Sequence, residues 1–199
     1  MKTRSVRSLT IGALLIAMGI LIPMMMPKIV IGPASFTLAS HVPVMLAMFF
    51  SPTMAIAVAL GTTFGFLVTT PFIIAARALT HVVFATIGAF YLQRYPQTVA
   101  HPVKFQLFNF VMAMIHAVAE VAMVWAFYAT GSISGATIDQ NFFGFLFGLL
   151  GVGGILHSMI DFTLAFFIAK NLSRLFYIPV FAKAKAQSRT FSEITLEKK

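Results

Sequence analysis

From Ile29 to Ala76 the chain carries no Asp, Glu, Lys or Arg. A bilayer crossing takes roughly 20 apolar residues, so this run is too long for one helix and too apolar for a water-exposed surface. It has to turn back on itself within or at the edge of a membrane. The rest of the chain agrees, with 59% hydrophobic and 10% charged residues and a mean hydropathy of +0.94, against about a quarter charged in a soluble domain. The complete absence of cysteine excludes a disulfide framework, a thiolate metal site, an iron–sulfur cluster and a cysteine nucleophile. A net charge of +9 would suit nucleic acid if it formed a surface patch, but the basic residues crowd the termini and one loop. That distribution is a membrane-orientation signal, and no nucleic-acid partner is expected.

Proline punctuation divides the apolar sequence. Ser8 to Pro27 follows Lys2, Arg4 and Arg7 and is longer than a signal-peptide core, so it is read as a first span. Pro33, Pro52 and Pro71 cut the uncharged run, because proline cannot continue a helical hydrogen-bond ladder. This predicts a short second span over Leu38–Phe50, short enough to be tilted or re-entrant, and a third over Thr53–Val68. A fourth covers Phe72–Leu92, a fifth Phe105–Tyr128, and a long sixth Phe142–Ala169, with a Gly131–Gly135 loop before it. The expected fold is an all-α membrane protein, a six-transmembrane-helix bundle over residues 1–178 with both termini cytoplasmic. A basic, polar, cytoplasmic tail over 179–199 completes it.

Charge tests that arrangement. With both ends inside, Lys2, Arg4, Arg7, Arg94, Lys104, Lys170, Arg174, Lys183, Lys185, Arg189, Lys198 and Lys199 all fall on the cytoplasmic side, twelve of the fourteen basic residues, as the positive-inside rule requires. Lys28 falls outside and Arg77 within a span.

Inside the predicted spans stand His41, Arg77, His81, His116, Glu120, His157 and Asp161, each costing a few kcal/mol unless it faces protein or water. All but His41 form i, i+4 pairs: Arg77/His81, His116/Glu120 and His157/Asp161. Three helices therefore each carry one polar stripe. Mutual satisfaction of such pairs within the bundle is the bland reading; a polar chamber is the other. Arg77 is the strongest candidate for binding a carboxylate or phosphate, since its planar fork suits bidentate anions. His157 and Asp161 fall near the middle of the bilayer or below, which favours a structural role. The histidines lie on different spans without HxxxH or HExxH spacing, so no metal centre is expected. Ser158 adjoins His157 but points elsewhere on a helix, so no hydrolase is expected and the chain is not read as an enzyme. Gly61/Gly65 and Gly144/Gly148 are GxxxG spacings that let helices approach closely.

A basic N-terminus, the segment Ala13-Leu-Leu-Ile-Ala17, the loop Ile31-Gly-Pro-Ala-Ser-Phe-Thr-Leu-Ala-Ser-His41-Val-Pro and Met48-Phe-Phe-Ser-Pro52 follow in that order. Together they resemble the substrate-binding S components of energy-coupling factor (ECF) vitamin transporters, from about Ser8 to about Leu175. The resemblance implies a multi-pass protein of a bacterial cell membrane that captures a vitamin or precursor from outside. It implies as partners a membrane coupling subunit and two cytoplasmic ATPases, so that ATP is used by those subunits and this chain needs no cofactor. Ala13 and Ala17 match the family's contact with the coupling subunit. The family's outward-facing pocket maps onto Phe36, His41, Arg77, His81, Glu120, Trp125 and Asn141, with Phe36 or Trp125 stacking a ring and Arg77 anchoring it. The Pro33–His41 loop is most similar to members assigned to niacin; pantothenate, a pyridoxine-like compound or hydroxymethylpyrimidine are the other ligands considered. The competing function is a solitary proton-coupled transporter, with His116/Glu120 and His157/Asp161 as a proton relay.

Overall fold

A computed structural model describes residues 2–31, 34–131 and 140–197, and the side chains of all of these except 2–5, 30, 35, 140–141 and 191–197. Helix α1 (Lys2–Met25) leads into a hairpin of β1 (Lys28–Ile31) and β2 (Ala34–Thr37). The strands pair antiparallel, with Lys28 opposite Thr37 and Ile31 opposite Ala34. Then come α2 (Val42–Met48), α3 (Pro52–Thr69), α4 (Phe72–Arg94), a 3₁₀ turn (Pro96–Ala100) and α5 (Pro102–Ala129). A last membrane helix is assembled from α6 (Gln140–Phe143), a π-helical stretch (Gly144–Gly153) and α7 (Gly154–Leu172); α8 (Pro179–Glu197) follows.

Among the described residues, five helices are long and apolar enough to cross a membrane: Val6–Met25, Pro52–Thr69, Phe72–Arg94, Pro102–Ala129 and Gly144–Leu172. This is an all-α membrane protein, and the predicted spans one, three, four, five and six stand within a few residues of these helices. The second differs. The helix expected over Leu38–Phe50 is confined to the seven residues Val42–Met48, about 10 Å of rise, too short to cross alone. The reason lies just before it, where Ala39 takes a positive φ of 65°. That left-handed conformation costs a non-glycine residue roughly 1–2 kcal/mol and cannot be helical. Residues 38–41 form a turn instead, closed by Ser40 N–H donating to Thr37 O and Val42 N–H to Ala39 O. All seven residues of α2 are buried, which is where irregular backbone is tolerated at membrane depth.

Helix α1 packs along α3 through small residues. A Cβ on Gly61 would come within 2.7 Å of the Ile16 side chain, and Cβ atoms on Gly65 and Gly19 would overlap Ile20 and Thr62. The first GxxxG spacing thus serves as a packing face. A Cβ on Gly144 or Gly148 would meet nothing within 4 Å; the second spacing belongs to the π-helical stretch and not to a close helix contact.

Apolar packing forms two clusters. The larger joins α1, α2, α3 and α4 to Phe105, Phe108, Phe162 and Phe166, and includes Ile178, Val180 and Ala184. The smaller joins Ala34 of the hairpin to Val124, Phe142, Leu146 and Leu150, with Phe36, Ile73 and Tyr128 against it. The segment from Pro179, expected as a solvated or headgroup-bound end, forms a helix whose first turns are docked. Val180 N–H donates at 3.3 Å to the carbonyl of Phe49, the residue that follows α2, and Gln97 donates to Ala184 O at 2.8 Å. Beyond Ala184 the helix is mostly exposed up to Thr190.

Replacing Gly65 with Val should drive a side chain into Ile20 and cost about 1–3 kcal/mol of overpacking. A lowered thermal-unfolding temperature of the detergent-purified protein, beside an unchanged or raised one for Gly148→Ala, is the expected outcome.

Candidate functional site

Between the two apolar clusters lies one polar layer. Its organising group is Asp161, on α7 and fully buried. One carboxylate oxygen accepts Ala39 N–H at 2.9 Å; the other accepts His41 N–H at 3.1 Å and pairs with His41 Nδ1 at 3.0 Å. A buried carboxylate so saturated stabilises a turn that a left-handed alanine alone would disfavour. It also fixes the His41 ring. His157, one helical turn before Asp161, stands with Nε2 3.6 Å from the same oxygen and 3.4 Å from Ser40 Oγ.

The second anchor is Glu120 on α5. Arg77 Nη2 of α4 donates to Glu120 Oε2 at 3.0 Å, and both side chains are buried. Glu120 Oε1 lies 3.6 Å from His81 Nε2 and 3.5 Å from His116 Nε2. The i, i+4 stripes read in the sequence are present, but the shortest contacts run between elements: α4 to α5 through Arg77 and Glu120, and the turn to α7 through His41 and Asp161. His41 joins the halves, with ring centroids 4.7 Å from both His81 and His116 and 5.0 Å from His157.

All of these side chains except Asp161 line a cavity of about 30 Å³, room for one or two waters. Of the residues expected at a site, Phe36, His41, Arg77, His81 and Glu120 all line it. The hairpin covers one side through Phe36 and Thr37, and the Phe36 ring meets His157 edge-on at 5.6 Å. Trp125 is not brought there: it is 41% exposed and packs on Phe142 and Phe143, beside an apolar outer groove. Asn141 lies in α6, and its side chain falls outside the described residues, as does the loop from Ser132 to Gly135. Ser40, His116 and His157 line the cavity too, although nothing in the sequence pattern assigned them to the pocket. His157 and Asp161, expected to be structural from their depth, belong to the same polar layer. Ala13 and Ala17 are exposed on α1, while Leu15 between them is buried.

A multi-pass membrane protein with one enclosed polar layer capped by a hairpin is what the fold and the site define. Across 186 residues, 92% of this chain and 82% of the relative, the sequence is 52% identical to the niacin transporter NiaX of Lactococcus lactis subsp. cremoris. The chain belongs to that transporter's family. No family model matches the chain, and no solved structure matches it.

Asp161→Ala should release the turn and leave His41 without its partner, a loss of about 3–5 kcal/mol for a broken buried pair. Thermal unfolding should fall accordingly, whereas Ala39→Gly should hold or raise it by relieving the left-handed strain. Equal stability of Asp161→Ala and the parent would refute the role given to this carboxylate.

Proposed function

We propose that this protein is the substrate-capturing subunit for niacin in an ECF transporter. The observation that carries the reading is the extent of identity to a protein named as a niacin transporter; the chemistry of the polar layer supports it. Niacin is a pyridine ring bearing a carboxylate. A guanidinium, three imidazoles within ring contact of His41, and an aromatic lid at Phe36 supply the matching groups: charge for the carboxylate, donors for the ring nitrogen and a face for the ring. Glu120 holds Arg77 in place from one side, so the fork is oriented before the ligand arrives.

The cavity is smaller than such a molecule, so entry requires the hairpin and turn to move. The bonds from Ala39 and His41 to Asp161 are the contacts such a movement has to keep or break. The chain crosses the membrane six times in this reading, the second crossing being made by the turn and α2 together, with both termini cytoplasmic as the basic residues favour. Ala13 and Ala17 present a small-residue face on α1 where the coupling subunit docks, and the two cytoplasmic ATPases drive delivery. Uptake that persists without those subunits and collapses with the proton gradient would make the protein a solitary carrier instead.

Calorimetric titration of the purified chain tests the ligand. Nicotinate should bind, nicotinamide should bind more weakly for want of the charge, and Arg77→Ala should lose about 10- to 100-fold in nicotinate affinity. Full affinity in Arg77→Ala would overturn the assignment of the carboxylate to this residue.

A further inference from the structure

The polar layer holds more ligating capacity than its internal contacts use. One ring nitrogen from each of His41, His81 and His116 can be chosen so that all three lie within 4.8 Å of one another, and all three residues are buried. His81 and His116 have no hydrogen-bond partner on either ring nitrogen, although those atoms are sealed from solvent. Each Nε2 has only the long approach of Glu120 Oε1, at 3.6 and 3.5 Å, and burying imidazole nitrogens so poorly satisfied in a membrane protein is costly. Something that accepts lone pairs would offset that cost.

We propose that His41, His81 and His116 form a binding site for a divalent transition-metal cation of the zinc type, with an open position facing the cavity. His41 Nδ1 is engaged by Asp161 at 3.0 Å, which leaves Nε2 as its ligating atom. A carboxylate behind a histidine in this way fixes the tautomer and raises the basicity of the ligand. With Zn–N bonds of about 2.0–2.1 Å, tetrahedral geometry sets the nitrogens roughly 3.3 Å apart, so the widest pair must close by about 1.5 Å, within reach of side-chain rotation. Glu120 Oε1, 3.6 and 3.5 Å from His81 and His116 Nε2, already stands near that spacing. A second grouping, His41, His157 and Asp161, is less suitable because the Asp161 oxygens are taken up by Ala39, His41 and the His41 ring.

Charge favours the same answer. Among the described residues, the layer's charged groups are Arg77, Glu120 and Asp161, a net charge of −1 with the imidazoles neutral. A carboxylate ligand would take it to −2 inside the bilayer; a divalent cation first makes it +1, and the carboxylate then brings it to zero. The captured molecule would complete the coordination through its carboxylate or ring nitrogen. This last step rests on the proposed cargo, whereas the metal site does not.

The test uses the full, tag-free chain, stripped with chelator and titrated with Zn²⁺ alone. One equivalent should bind, His81→Ala and His116→Ala should each weaken it at least about tenfold, and His101→Ala, exposed at the start of α5 and outside the cavity lining, should not. Co²⁺ in place of Zn²⁺ should give the visible bands of a histidine-bound, low-coordinate ion, a readout on the unaltered chain should a variant fail to fold. No Zn²⁺ binding, or binding and Co²⁺ bands that survive loss of both His81 and His116, would overturn the proposal. Nicotinate binding to the chelated protein with unchanged affinity would remove the metal from capture while leaving the niacin reading intact. Zn²⁺ binding without nicotinate binding would do the reverse.

Discussion

The contact on which the rest depends is the grip of Asp161 on the turn before α2. Three donors converge on one buried carboxylate: two backbone N–H groups and an imidazole. That convergence lets a non-helical segment exist at membrane depth, because the backbone groups that lipid cannot satisfy are satisfied by protein. It holds Ala39 in a conformation alanine avoids, ends the hairpin, sets the start of α2 and presents His41 to His81, His116 and His157. Without it α2 would have no fixed start and the cavity would lose one wall.

The architecture around this contact separates tasks by layer. Close packing of α1 on α3 through glycine faces gives a tight pair with the Ala13 and Ala17 side turned outward. Phenylalanines of α5 and α7 and the first turns of α8 make the larger apolar cluster, while the hairpin, Val124 and the π-helical stretch make the smaller one. The charged groups lie between, so each is shielded by apolar packing above and below, and each must find its partner within the layer. A π-helical stretch often accompanies a functional site, and here it leads directly into the helix carrying His157 and Asp161.

Much of this is legible in the sequence. Prolines and uncharged runs locate the five long helices, since the cost of an unpaired backbone in lipid leaves few alternatives. The i, i+4 spacing identifies the polar stripes, and five of the seven expected site residues share the cavity. Two things are not legible. A left-handed alanine leaves no trace in composition, so the second helix is shorter than its apolar run suggests. The place of His157 and Asp161 in the polar layer is hidden because depth along a helix does not show that the turn at Ala39 and His41 comes to meet them. Trp125 shows the converse: an aromatic residue at a suitable depth is turned outward, which helix position alone does not decide.

The central claim is that the polar layer is a chamber for one small carboxylate-bearing ring. Mass spectrometry of the small molecules released on denaturing the freshly purified chain addresses it without assuming a ligand. The account predicts nicotinic acid approaching one equivalent in the unaltered protein and its loss in Asp161→Ala. A different vitamin, or the same yield of nicotinic acid from both proteins, would contradict it.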